Sequence, residues 1–167
     1  MKAVRMIKQL QTESHLMDCV QLLRRSFGTV AVEFALTEAT APTNPAFVTE
    51  AKLKEYLRKP VAPYGLLNND QLIGCVAIEP SKHDNRTFYI ERLAVAPEAR
   101  HHGFGDELLC YAFERIREAG GTTASIGLMD NNDRLKGWYQ TKGFMQTACK
   151  TIEHLPFKVC YMSKDLA

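Results

Sequence analysis

Hydrophobic and polar positions follow two rhythms along this chain. Val4–Leu10 alternates as a strand does, and "SHLMDCVQLLRRSF" then switches to helical spacing. There Leu16, Cys19, Val20, Leu23 and Phe27 fall on one side, with Ser14 placed to cap. From Gly28 to Asn44 the period is lost, and the segment predicts a helix end followed by a loop closed off by Pro42 and Pro45. A long loop in a compact domain is more often functional than idle. Ala51–Arg58 predicts a short helix stopped by Pro60 and Pro63.

"YGLL", the turn residues Asn68-Asn69-Asp70 and "QLIGCVAIE" predict a hairpin, and "TFYIERLAV" a further strand after the polar stretch Pro80–Arg86. Gly103 to Ala119 is strongly helical: Phe104, Leu108, Leu109, Ala112, Phe113 and Ile116 share one face, and Gly120-Gly121 ends it. "TASIGLM" predicts a strand, "DRLKGWYQTKG" a short helix closed by Gly143, and "MQTACKTIE" with "KVCYMSK" a closing hairpin. The order is β, α, α, β, β, β, α, β, α, β, β.

"TFYIERLAV" breaks its own rhythm. Phe88 and Ile90 are apolar on one parity, Leu93 and Val95 on the other. One extra residue near Glu91-Arg92, a β-bulge, changes the buried parity in this way; a strand buried on both faces would need none. A bulge would splay the strand from its neighbour and leave backbone groups unpaired, and an extended amide-bearing ligand would satisfy them.

Composition narrows the functional classes. A chain of 167 residues with 46% hydrophobic and 24% charged residues suits one domain with a sizeable core, and a net charge of +2 does not argue for a nucleic-acid surface. No apolar run reaches the roughly 18 residues of a membrane span, so the expectation is a soluble, cytoplasmic protein. Cys19, Cys75, Cys110, Cys149 and Cys160 are odd in number and widely spaced, with no C-x-x-C. They signal neither a disulfide framework nor a zinc site, and most are expected to be small buried hydrophobes.

The chemistry gathers in "VAPEARHHGFGDELL". Unpaired N–H groups and the dipole at a helix start attract anions. Gly103 and Gly105 permit close approach, Arg100 adds a permanent charge, and His101 and His102 extend it. Asp106 and Glu107 follow in the first turn and should point away from a phosphate. No lysine follows as a Walker loop requires, and Leu108 stands where the dinucleotide fingerprint needs its third glycine. His101 and His102 are adjacent and diverge, so no metal site is expected.

What fits is R-x-x-G-x-G between a strand and a helix. "YIERLAVAPEARHHGFGDELL" resembles the central motif of the GNAT superfamily of N-acetyltransferases. Downstream, Asn132, Tyr139, Gly143 and Phe144 in "NDRLKGWYQTKGF" resemble its second motif, with Leu135 where alanine is frequent. The resemblance implies an α/β (α+β) domain over residues 1–167: a central mixed, mostly antiparallel sheet of about seven strands flanked by helices, its fourth strand bulged and splayed. It also implies acetyl-CoA as donor, with the pyrophosphate on the loop Arg100, His101, His102, Gly103, Phe104 and Gly105. The pantetheine amides would lie along Leu93, Ala94 and Val95, with Asn132 as a further contact or a plain helix cap. An amine would attack the thioester directly, a backbone N–H near Leu93 would stabilise the oxyanion, and Tyr139 would protonate the leaving thiolate.

Glu91, beside the bulge, is the first candidate base, unless Arg92 or a neighbouring strand engages it. Tyr89 shares its face, and Glu33 and His154 are candidates for the acceptor pocket. The acceptor is a small-molecule amine in preference to a protein N-terminus or lysine. The rival is a non-catalytic acyl-CoA sensor. Neither nucleic acid nor membrane is expected as a partner, and a homodimer through the closing strands is compatible with the pattern.

Overall fold

The computed structural model describes residues 2–167. Seven strands form one sheet: β1 (Arg5–Gln9), β2 (Ala62–Asn68), β3 (Gln71–Pro80), β4 (Thr87–Val95), β5 (Thr123–Met129), β6 (Met145–Thr151) and β7 (Lys158–Asp165). Their spatial order is β1-β2-β3-β4-β5-β7-β6. Every neighbouring pair is antiparallel except β4 with β5. The four α-helices are α1 (Thr12–Glu33), α2 (Glu50–Tyr56), α3 (Phe104–Glu118) and α4 (Asp133–Thr141). The expected order and mixed sheet are both present.

Each face of the sheet has its own core. Leu108, Leu109, Ala112 and Ile116 of α3 meet Val76, Ile90, Ala124, Ile126 and Met162 on one face. On the other, Leu16, Val20 and Leu23 of α1 and Leu53 and Tyr56 of α2 meet Cys75, Ala77 and Ala94. Alternation along the strands makes this possible, since successive residues feed opposite cores.

Helix α1 continues through Gly28 to Glu33, the helix end expected of that segment, and Ala31 is buried there. It begins at Thr12, so Ser14 lies inside the first turn; the imidazole of His15 instead accepts from the Gln11 N–H at 3.2 Å. Residues 34–49 form a folded connection: Ala41, Ala46 and Val48 are buried and the Arg24 guanidinium donates to the Val48 carbonyl. The cysteine expectation needs correction as well. Only Cys75 and Cys160 are buried, while Cys110 and Cys149 are exposed because they fall on outward-facing positions of α3 and the edge strand β6. No described helix is long and apolar enough to cross a membrane.

Glycines test this packing in opposite directions. A Cβ on Gly121 would lie 2.5 Å from Ile116 Cγ2 and 2.6 Å from Phe88 Cδ2, whereas one on Gly28 would meet nothing within 4 Å. Gly121→Ala is expected to destabilise by about 1–3 kcal/mol through overpacking. Gly28→Ala, inside α1, should stabilise by roughly 0.5–1 kcal/mol. Urea midpoints of the two variants check both signs.

Candidate functional site

The register between β3 and β4 locates the irregularity. Cys75 pairs with Ala94 and Ala77 with Glu91, so β4 takes three steps where β3 takes two. Arg92 sits at the extra step with φ of 51°, a left-handed conformation that is rare outside glycine. The expected bulge is therefore present. Because of it, Ile90 before the bulge and Leu93 and Val95 after it all lie against the α3-side core. Ala94 faces the other side and is buried.

The divergence of β4 from β5 is equally plain. Their parallel pairing covers only Thr87–Tyr89 against Thr123–Ser125. Beyond Tyr89 the strands separate, leaving a cleft between the end of β4 and the rest of β5. At its base Tyr89 lies opposite Glu79 on one side and Ser125 on the other. Ser163 Oγ stands 3.3 Å from Ser125 Oγ, so the floor on the α1/α2 side is polar.

At the open end of the cleft, the turn Pro97–Ala99 leads into the loop before α3. His101 and Gly103 take left-handed conformations, with φ of 65° and 80°. No side chain caps α3, and its first internal bond runs from Glu107 N to the Gly103 carbonyl. The backbone N–H groups of His101 to Asp106 thus find no acceptor among the described residues. A Cβ at Gly103 would meet nothing, so the space over the loop is open. Phe104 is half-buried, lying beneath Arg5 (5.2 Å) and beside His102.

The neighbouring charges are arranged for an anion. Asp106 is paired with Lys142 and Glu107 with Arg5 (3.3 Å), which offsets both carboxylate charges next to the loop. The exposed His102 donates from Nδ1 to the Arg100 carbonyl at 2.7 Å, and His101 is exposed. Arg100 departs from expectation. Its guanidinium donates to Thr29 Oγ1 (3.0 Å) and to the Ser26 carbonyl (2.8 Å) and hydroxyl (3.3 Å). It fastens the loop to α1 and does not stand free.

The remaining expected residues fall into three places. Tyr139 is buried on the α3 side, edge-on to Trp138 and Phe144, and burial alone raises its phenol well above the usual range. Its hydroxyl makes no hydrogen bond among the described residues. Asn132 is buried and accepts from the Leu135 N–H, which is the cap alternative. Glu91 lies on the opposite face, with Oε2 accepting from Tyr56 Oη at 2.7 Å and from Arg92 Nη1 at 3.4 Å. Glu33 is not beside it: at the end of α1 it pairs with Arg134 at 2.5 Å. His154 is exposed in the β6–β7 connection.

Sequence reasoning missed Tyr56, Ser26 and Thr29. They reach the site across 35, 74 and 71 positions, and no local pattern announces such contacts.

A strand splayed from its parallel neighbour and ending in a loop of unpaired N–H groups is the feature that sets this mixed α/β fold apart. The family description "Acetyltransferase (GNAT) family" matches residues 19–144, and the chain belongs to that family. A relative named amino-acid acetyltransferase, from Pseudomonas paraeruginosa (strain PA7), is 30% identical over 72% of this chain. The chain spans only 26% of that relative's length. The PaiA N-acetyltransferase of Thermoplasma acidophilum in complex with coenzyme A superposes with a TM-score of 0.77 at 18% identity, over 97% of this chain and 99% of that one. The ribosomal-protein-S18-alanine N-acetyltransferase of Escherichia coli gives 0.75 at 13% identity, over 98% and 95%.

The anchoring of Arg100 makes a measurable difference in the absence of any ligand. Arg100→Met should lower stability by about 1.5–3 kcal/mol, the range for hydrogen bonds to a charged group. A residue serving phosphate alone would leave the ligand-free urea midpoint unchanged.

Proposed function

We propose that the chain transfers the acetyl group of acetyl-CoA to the primary amine of a small molecule, by direct attack within a ternary complex. The observation that carries this reading is the run of unpaired N–H groups from His101 to Asp106 at the mouth of the cleft beside β4. Such a run suits the pyrophosphate, with Gly103 and Gly105 admitting its close approach. The freed edge of Leu93, Ala94 and Val95 suits the amides of the pantetheine arm, and Asn132 then serves chiefly as the cap of α4.

In the transfer, a C–N bond forms as the C–S bond breaks. The amine must first shed a proton, since it is mostly protonated near neutral pH. Glu91 takes that proton: it stands beside the bulge, its side chain is 35% exposed, and its Oε1 carries no partner among the described residues. The backbone N–H near Leu93 faces the developing oxyanion. Tyr139 gives its proton to the departing sulfur. Burial favours this role, because a phenol with a raised pKa stays protonated throughout the neutral range.

The Pseudomonas relatives named amino-acid acetyltransferase carry a small acceptor in their name, which favours a small acceptor here.

The test is thiol release from acetyl-CoA against amino acids, polyamines, aminoglycosides and short peptides. Turnover is expected on a small amine, and Tyr139→Phe should lower kcat about 10²-fold, the low end for general acid catalysis. A Tyr139→Phe rate within about twofold of wild type removes the acid role. Acetyl-CoA binding with no turnover on any amine returns the sensor reading.

A further inference from the structure

The bulge does more than separate β4 from its neighbour. Consecutive residues of a regular strand point to opposite faces, yet Glu91 and Arg92 both reach Tyr56 on the α1/α2 face. Glu91 accepts the Tyr56 hydroxyl at 2.7 Å, and the Arg92 guanidinium lies over the Tyr56 ring at 3.5 Å. The left-handed backbone at Arg92 makes this doubling possible. A carboxylate and a guanidinium thus stand side by side on the α1/α2 face beside the bulge.

They do not satisfy each other. The single contact between them, Nη1 to Oε2, is long at 3.4 Å. Arg92 Nε is buried with no partner, and Nη2 donates to nothing among the described residues. Those two nitrogens form the edge of the guanidinium that grips a carboxylate with two parallel hydrogen bonds. On the other side of the pair, Glu91 Oε1 is free, and Glu79, buried on the same face opposite Tyr89, adds negative charge. A positive point beside a negative field matches a molecule carrying an ammonium and a carboxylate a few bonds apart.

We propose that the acceptor is an α-amino acid and that Arg92 selects it by binding its carboxylate, while the amine lies toward Glu91. This rests on the transferase reading above. Leu16, Leu53, Leu57 and Cys75, which line a small apolar cavity with the Arg92 side chain on this face, give a charged substrate side chain no partner. Neutral amino acids are therefore the right probes. Arg92 is a specificity residue in this scheme; Glu91 remains the proton acceptor.

The experiment compares neutral L-amino acids with their carboxamides, which keep the amine and side chain but lose the charge, using thiol release from acetyl-CoA. Wild-type enzyme should favour the acids by roughly tenfold or more in kcat/KM, because a site built to pair a group rejects the analogue lacking it. Arg92→Gln should cost more on the acids than on the carboxamides, so that the ratio of the two kcat/KM values falls toward one, mainly through KM on the acids. Arg92→Lys should fall between, since a point charge replaces a fork. Better turnover of carboxamides or peptides by wild-type enzyme would overturn the proposal without recourse to any variant. An equal loss on acids and carboxamides in a folded Arg92→Gln would overturn it too, marking Arg92 as structural. Acetyl-CoA turnover confined to amines without a carboxylate would overturn this inference and keep the transferase reading. No turnover on any amine would sink both.

Discussion

The extra residue in β4 is the constraint on which the rest of the structure depends. Without it, Leu93 and Val95 would turn to the α1/α2 side, and Ala94 would enter the α3 core where larger side chains are needed. With it, the apolar register is kept on both sides of the irregularity. A left-handed, non-glycine residue costs of order 1–3 kcal/mol and persists only where surroundings over-determine it. Here the Arg92 carbonyl accepts from Cys75 Sγ at 3.4 Å while its guanidinium rests on Tyr56. The bulge is thus held from β3 on one side and from α2 on the other.

The loop that follows inherits its position from the same strand. Two left-handed residues, His101 and Gly103, bend the chain, and the N–H groups from His101 to Asp106 are left without acceptors among the described residues. Acidic residues in a first turn favour the helix dipole but oppose a bound anion. The conflict is resolved by pairing Asp106 with Lys142 and Glu107 with Arg5. Helix α1 then ties the assembly together, holding Arg100 through Ser26 and Thr29 and reaching Arg134 of α4 through Glu33. An anion arriving at the loop meets a framework already braced on both flanks.

Much of this was legible in the residues, for identifiable reasons. The parity change between Ile90 and Leu93 is a period-two signal, so the bulge could be read locally. The R-x-x-G-x-G loop and Asn132-to-Phe144 spacing are also local patterns. The charge of Arg100 is visible in sequence while its partners on α1 are not. The same holds for Glu33, whose ion pair spans 101 positions. The cysteines misled for a different reason. Composition cannot say which side of an edge strand or helix a small residue occupies, and Cys110 and Cys149 fall outward.

The two proposed proton carriers lie on opposite faces of the sheet. Tyr139 belongs to the α3-side core, where burial keeps its phenol protonated. Glu91 faces α1 and α2, where its carboxylate is partly exposed and hydrogen-bonded to Tyr56. An intact sheet would separate them by a hydrogen-bonded wall, and neither could serve the same reacting carbon. The divergence of β4 from β5 beyond Tyr89 removes that wall at one place only. A base on one side and an acid on the other can then act on a single carbon lodged in the gap. Burial keeps the Tyr139 phenol protonated on its side of the gap. On this view the splayed strand is a passage through the sheet as well as a cradle for the donor, and the bulge that opens it also orients the residues proposed to read the acceptor.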